Sequence, residues 1–293
     1  MASMIKNPKL WMWISALTIT VSIGITIIFP PVWGVDFIGG SLLEVEGNAD
    51  KAREVQDSLT EKFSMPVTAQ GTQDGTIIIR TPVLDDNAHK EVLTFLREKE
   101  LMTGSERSFE SVGPTIGKEL RTKSIYAVLI VLGILIVYLA HTFKTVGGFI
   151  SPWKLGLAAI YALVHDLFLV TAFFSVFGKL WNIPVDTLFV TAQLAILGYS
   201  VNDTIVIFDR LRSEWIASRG KSLLETLDRA LVLTLGRSLN ASFTVLITLV
   251  AVLAFGGSSI RWFIVALTIG VITGVYSSLF VAPPLLYYLA KRK

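Results

Sequence analysis

Hydrophobic positions in this chain follow two different patterns. Six long, nearly unbroken apolar runs occur at Leu10 to Phe29, Ser124 to Ala140, Lys154 to Phe177, Val185 to Phe208, Leu231 to Phe255 and Trp262 to Leu289. A helix needs about 20 apolar residues to cross a bilayer, so each run predicts a membrane-spanning helix. Between the first two runs, Pro31 to Thr122 carries short amphipathic patterns instead. Ser41–Val45, Val67–Gln70, Thr76–Arg80 and Arg107–Val112 read as strands. In Asp50–Phe63, Ala52, Val55, Leu59 and Phe63 recur at helical spacing behind a candidate N-cap, Asn48. Asp86–Leu101 repeats that pattern with Ala88, Val92, Phe95 and Leu96. The order βαββαβ predicts a small ferredoxin-like α+β domain. The expected architecture is an α-helical polytopic membrane protein with six transmembrane helices and one extracytoplasmic domain. It divides into residues 1–30, 31–122 and 123–293, with a linker at 209–230.

Composition and charge turn this pattern into a topology. The 293 residues are 52% hydrophobic, with a mean hydropathy of +0.62, too apolar for a single water-soluble domain. There is no cysteine, hence no disulfide framework or cysteine zinc site, and the three histidines (His89, His141, His165) lack metal-ligand spacing. Residues 31–120 hold 16 acidic and 9 basic side chains, and the remainder 7 and 17. Lys6, Lys9, Lys144, Lys154, Arg210, Arg212, Arg219, Lys221, Arg229 and the tail Lys291–Lys293 fall on one side, against Lys179 and Arg261 in the short loops opposite. The positive-inside rule puts both termini in the cytoplasm and residues 31–122 outside. The basic excess therefore reports topology and predicts no nucleic-acid partner. The linker sets Leu223, Leu224, Leu227 and Leu231 against Arg219, Lys221 and Arg229, which predicts an interfacial amphipathic helix or a plain solvated connector.

Ionisable residues inside the apolar runs are the candidate chemistry. Asn202 and Asp203 precede Ile205–Phe208, and Asp209–Arg210 marks the exit to water. Six residues place Asp203 roughly 9 Å inside that exit, where a carboxylate costs about 2.5–3.5 kcal/mol on insertion scales. Arg237 lies early in the antiparallel fifth span, about 27 Å from its outer end, so it can share the depth of Asp203. Contact with a guanidinium keeps a carboxylate ionised, and its loss admits a proton. The pair therefore reads as a relay that alternates partners, or as a static ion pair with Arg237 snorkelling to the interface. His165 and Asp166 lie mid-span in the third run. Consecutive residues diverge on a helix, so they are expected to meet different helices and not to form a dyad. Asp166 reads as a weaker relay candidate or a buried hydrogen-bonding group. Gln193, Asn202, Ser238, Asn240, Ser242 and Thr244 suit a wet track or, for most of them, interhelical bonds, and Gly270, Gly274 and Ser278 form a packing ridge. Asp36 and the Gly39–Gly40 turn mark the handover from the first span to the outer domain. No GxxxxGK[ST] loop or HExxH motif is present, and neither Asp166 nor Asp203 has the GxGD context of an intramembrane protease.

These residues carry a family likeness. VDFIGG (Val35–Gly40), VGPTIG (Val112–Gly117), ALVHD (Ala162–Asp166), GYSVNDTIVIFDRLR (Gly198–Arg212), GRSLNAS from Gly236 and FGG (Phe255–Gly257) occur in the order found in the SecF family, which the chain resembles along its whole length. The resemblance implies a non-enzymatic subunit of the Sec export machinery in the bacterial inner membrane. It would pair with SecD in a resistance-nodulation-division-type assembly and associate with the SecYEG channel, with YajC and YidC as further candidates. It would use the proton-motive force to promote translocation of a preprotein. No cofactor is implied; protons are the coupling ion. Asp203 and Arg237 match the family's functional Asp and Arg in the proton pathway, with Asn202 beside them. The other readings of the residues are half of a small-molecule or lipid exporter of the same superfamily, and a passive scaffold.

Overall fold

The computed structural model describes residue 5 and residues 7–146, 150–217 and 222–291. Lys6, Arg219, Lys221, Arg292 and Lys293, which entered the charge argument, lie outside them. Helix α1 (Pro8–Ile28) leads to a short helix α2 (Val35–Ile38) and into the sheet domain: β1 (Gly40–Glu46), α3 (Ala52–Phe63), β2 (Thr68–Gly71), β3 (Thr76–Thr81), α4 (Asp86–Glu98) and β4 (Glu106–Val112). The long helices α5 (Pro114–Thr142), α6 (Pro152–Trp181), α7 (Thr187–Ala217) and α8 (Leu223–Phe255) follow, then α9 (Arg261–Phe280) and α10 (Ala282–Lys291).

The strands pair antiparallel in the order β2-β3-β1-β4, so each βαβ crossover skips one strand. This is the ferredoxin-like arrangement that the βαββαβ pattern predicts. Asn48 accepts a hydrogen bond from the Asp50 N–H (3.0 Å) and starts a 3-10 turn ahead of α3, while Asp85 caps α4 through the Ala88 N–H (2.8 Å). In the β1–β3 register Leu43 faces Ile79 and Val45 faces Ile77. These four join Val55, Leu59, Val92 and Leu96 in a core with no exposed surface. Each such side chain contributes about 1.5–3 kcal/mol of burial.

Among the described residues, six helices, or helix pairs, are long and apolar enough to cross a membrane. Those built on α6, α7 and α9 have about half of their apolar stretch buried within the chain, whereas few residues of α1, α5 and α8 are buried. Trp13, Leu17, Leu129, Ile134, Phe243 and Phe255 stand exposed on these outer helices, as lipid- or partner-facing residues do.

Three boundaries differ from the sequence expectation. Helix α5 starts at Pro114, because Gly113 in extended backbone and a proline in the first turn open it inside the stretch assigned to the polar domain. The last apolar run is two helices: continuous helix stops at Phe280, and Pro283–Pro284 stand in the first turn of α10. The linker forms no separate amphipathic helix among the described residues, since α7 continues to Ala217 and α8 begins at Leu223 behind a Ser222–Glu225 capping box. Its leucines face inward instead of toward a membrane surface: Leu227 and Leu231 are fully buried in the main helix core.

Where the sheet domain meets the helices, the chain is stapled twice. The Gly34 N–H donates to the Val185 carbonyl (2.8 Å), and the Val185 N–H to that of Val32 (2.7 Å). Asp36 Oδ2 accepts from the Thr187 N–H (2.9 Å) and hydroxyl (2.6 Å), and Asp186 Oδ1 from the Phe189 N–H (2.8 Å), so two carboxylates cap α7. Burial pushes the Asp186 carboxyl above its ordinary value, against the pull of its backbone hydrogen bond and nearby Arg80. Gly39, at φ +81°, lets α2 pass the head of α5; a Cβ there would stand 2.8 Å from Pro114 Cα.

Candidate functional site

Helix α7 organises the interior, with a different surface toward each neighbour. Toward α9 it presents Ile196, Ser200 and Thr204, four residues apart. Opposite them run Gly270, Gly274 and Ser278 with the same spacing. A Cβ on Gly270 would collide with the Ile196 side chain, and one on Gly274 would lie 3.1 Å from Ser200 Cβ. The Thr204 and Ser278 hydroxyls are 2.9 Å apart, and Ser278 also donates to the Ser200 carbonyl (3.2 Å). Small residues let the two backbones approach, and the hydroxyls then find partners across the seam.

Toward α8 the direction reverses. Tyr199 donates to Ser242 Oγ (2.8 Å), and one turn further along α7 Ser238 donates to Asp203 Oδ1 (3.2 Å). Asp203 is 6% exposed, so its carboxyl does not point outward from the bundle. Its second oxygen, Oδ2, is buried without a hydrogen-bond partner. Arg237, next to Ser238, interacts with Asp203 through space, but no ion pair joins them among the described residues. Arg237 lies on the exposed side of α8. The static ion pair that the sequence allowed is therefore absent in this conformation. Asn202 and Gly198 are exposed on the same outer side of α7, and a Cβ on Gly198 would touch nothing.

The third surface of α7 meets α6 at Asp166, which is fully buried. Asp166 Oδ2 accepts from both the Ser200 and Ser277 hydroxyls (2.7 Å each), linking α6 to α7 and α9. His165 is equally buried, and its Nε2 lies 2.9 Å from the Thr18 hydroxyl of α1. The two residues thus reach different helices, as expected. They also touch each other: His165 Nδ1 is 3.3 Å from Asp166 Oδ1, which overturns the expectation that they form no dyad. Backbone positions roughly 100° apart are bridged by side chains that both turn into the seam. Thr18, Ser200 and Ser277 complete this junction, and the sequence reading did not single them out. The available signal was the Ser277–Ser278 pair within an apolar run and Ser200 one turn before Asp203.

Of the remaining polar candidates, Gln193 Nε2 donates to Thr171 Oγ1 (3.0 Å) and the Leu167 carbonyl (3.3 Å), tying α7 to α6. Thr244 bonds only back to its own helix, at the Asn240 carbonyl (2.9 Å), with both residues exposed. At the cytoplasmic-predicted end, Glu214 is gripped by Arg210 (2.9 Å) and Arg229 (2.8 Å), which closes α7 against α8.

Comparison with known proteins agrees with this architecture. The family model described as protein export membrane protein SecD/SecF, C-terminal, matches residues 93–292. Protein translocase subunit SecF of Thermobaculum terrenum is 37% identical over 86% of this chain and 83% of its own length. That of Haemophilus influenzae is 32% identical over 98% and 86%. The crystal structure of SecDF from Thermus thermophilus superposes with a TM-score of 0.85 at 27% identity, covering 97% of this chain but 38% of that one. SecDF in its super-membrane-facing form gives 0.71 at 28% identity, over 99% of this chain and 39% of the other. The chain thus spans well under half of the solved SecDF proteins and most of the separate SecF subunits. It is a multi-pass membrane protein and belongs to the SecF family of Sec protein-export subunits.

Proposed function

We propose that this chain couples proton movement to preprotein export, with Asp203 as the group that gains and loses the proton. The observation that carries the reading is the unfinished shell of Asp203: one hydroxyl donor, one unpartnered buried oxygen, and a guanidinium nearby but not engaged. A charge buried in helices at membrane depth demands a partner or a proton. Here Arg237 is the next residue to the one that donates to Asp203, and the proton has an empty acceptor. A cycle in which Arg237 engages the carboxylate, then yields it to a proton, supplies two electrostatic states, and the α7–α8 contact is the element they bias.

The exposed strip of Gly198, Asn202, Arg237, Asn240 and Thr244 on α7 and α8 is polar for a lipid-facing surface. SecD is the partner that covers it, bringing its own groups to Arg237. SecYEG, YajC and YidC are assigned as outer partners through the family alone. Both termini lie in the cytoplasm of the bacterial inner membrane, and the sheet domain faces outward, where it meets the emerging preprotein. Neither a cofactor nor nucleotide hydrolysis enters the cycle.

The test is export of a secreted polypeptide into membrane vesicles with and without an imposed proton gradient. Asp203→Asn is expected to assemble with SecD and to lose the gradient-dependent increment. Normal gradient-stimulated export by that variant contradicts the reading.

A further inference from the structure

The His165–Asp166 junction has no part in the Asp203–Arg237 exchange, yet it is the most enclosed polar cluster described in the chain. Both side chains are 0% exposed. Three hydrogen-bond partners converge on the Asp166 carboxyl from its own and two other helices: His165 on α6, Ser200 on α7 and Ser277 on α9. His165 extends the chain to Thr18 on α1. Four helices are thus joined through one carboxyl and one imidazole.

The bonds around these two groups fit more than one proton count. Thr18 has a single hydroxyl proton and lies 3.0 Å from the Ser15 carbonyl as well as 2.9 Å from His165 Nε2. If that proton goes to Ser15, the imidazole must donate from Nε2. Nδ1 then either carries a second proton toward an ionised Asp166 or accepts one from a protonated Asp166. If it goes instead to Nε2, Nδ1 donates to the carboxylate and the pair holds one proton fewer. One additional proton can therefore be stored without breaking the Thr18 or His165 contacts.

Ser277 reads out the difference. Its hydroxyl is 2.7 Å from Asp166 Oδ2 and 3.2 Å from the carbonyl of Gly274 on its own helix, so it has a second acceptor waiting. An ionised carboxylate accepts His165, Ser200 and Ser277 together. Once a proton occupies Asp166, its acceptor strength falls, and Ser277 turns to Gly274. The α6–α9 link then opens while the α6–α7 link through Ser200 remains.

We propose that His165 and Asp166 form a second proton-binding site, and that a proton resting on the Asp166 carboxyl releases the tie of α9 to α6 through Ser277. The surrounding ionisable groups are few. On α9, Tyr276 has its ring 5.9 Å from that of His165, and on α6, Tyr161 meets Ser15. Asp203 stands one turn along α7 from Ser200, facing α8. Among the described residues, no Lys or Arg pairs with Asp166, so its charge state is answered only by His165 and hydroxyls. The inference deepens the proton-coupled reading but is separable from it.

The full chain in complex with SecD, reconstituted in bilayers, provides the test, with protons as the probe. Infrared difference spectra recorded across pH steps report protonated carboxyls. A carboxyl band that appears on acidification is expected to vanish in Asp166→Asn and to persist in Asp203→Asn. A band set unchanged by Asp166→Asn overturns the proposal, even if Asp203→Asn abolishes gradient-driven export. Conversely, a band present at Asp166 together with normal export by Asp203→Asn removes the proposed function and leaves this site standing. Since the chain has no native cysteine, one cysteine on α6 and one on α9 beside the junction can report their separation. Cross-linking is expected to fall several-fold on acidification in the parent and to stay low at every pH in Ser277→Ala. Should Asp166→Asn fail to assemble, Ser277→Ala decides alone: cross-linking that follows the parent's pH response overturns the switch.

Discussion

Helix α7 lies between two carboxyl sites built to opposite specifications. Asp166 meets it from α6 with its hydrogen-bond partners in place and no exposed surface. Asp203, on α7 itself, has one donor, one orphaned oxygen and a neighbouring arginine that does not touch it. Both are equally anomalous as acids in an apolar span. The difference teaches that depth in the membrane does not by itself tell two such acids apart; the hydrogen-bond shell does. The filled shell of Asp166 joins helices, and on the proposed reading its proton count sets which of them are joined. The open shell of Asp203, beside a cation that does not engage it, is where the proposed function has a proton and a guanidinium compete.

The contrast can be broken most violently at the α7–α9 seam. Gly270→Leu forces a side chain into Ile196 and is expected to cost about 3 kcal/mol, read as lost heat resistance of the purified protein. Gly198→Leu, on the open side of the same helix, is expected to leave that stability unchanged and to weaken association with SecD. Equal loss of stability in both would mean that α7 has no open face. Next in size, Asp166→Ala strands His165 Nδ1 and the Ser200 hydroxyl, while Ser277 keeps the Gly274 carbonyl, at about 2 kcal/mol. Asp203→Asn keeps the acceptor for Ser238 and exchanges one unpartnered buried atom for another, so it should melt close to the parent. Reversed values would exchange the roles of the two acids.

The smallest expected effect concerns the head of α7. Because burial raises the Asp186 carboxyl, the native protein binds that proton more tightly than the unfolded chain does. Its contribution favours folding below the ordinary carboxylate range and is lost as pH rises through the raised value. Asp186→Asn retains the cap on Phe189 and should flatten that part of the stability–pH curve. An unchanged slope would remove Asp186 as its source.

Much of this was legible in the sequence, and for identifiable reasons. The spans follow from apolar length, and the sheet domain from two periodicities and one cap, Asn48, that fold locally; the Asp85 cap of α4 came from the structure. Asp203 stood out because an acid seven residues from Arg210 is conspicuous in an apolar run. The misreadings came from tertiary context. Leu227 and Leu231 have the spacing of a surface-seeking stripe, and only the packed bundle shows them turned inward. His165 and Asp166 were separated by helix geometry, which fixes Cβ directions but not where side chains turn. Ser200 and Ser277 carry no periodic signal; they matter because two parallel helices bring them to one oxygen.

The most direct measurement of the central claim is a double-mutant cycle on gradient-stimulated export using Asp203→Glu and Arg237→Lys, conservative changes chosen to leave measurable activity. If the carboxyl and the guanidinium act on one another during the cycle, the combined variant should lose markedly less than the product of the two single losses. Losses that simply multiply would show that the two groups work independently, and would contradict the account.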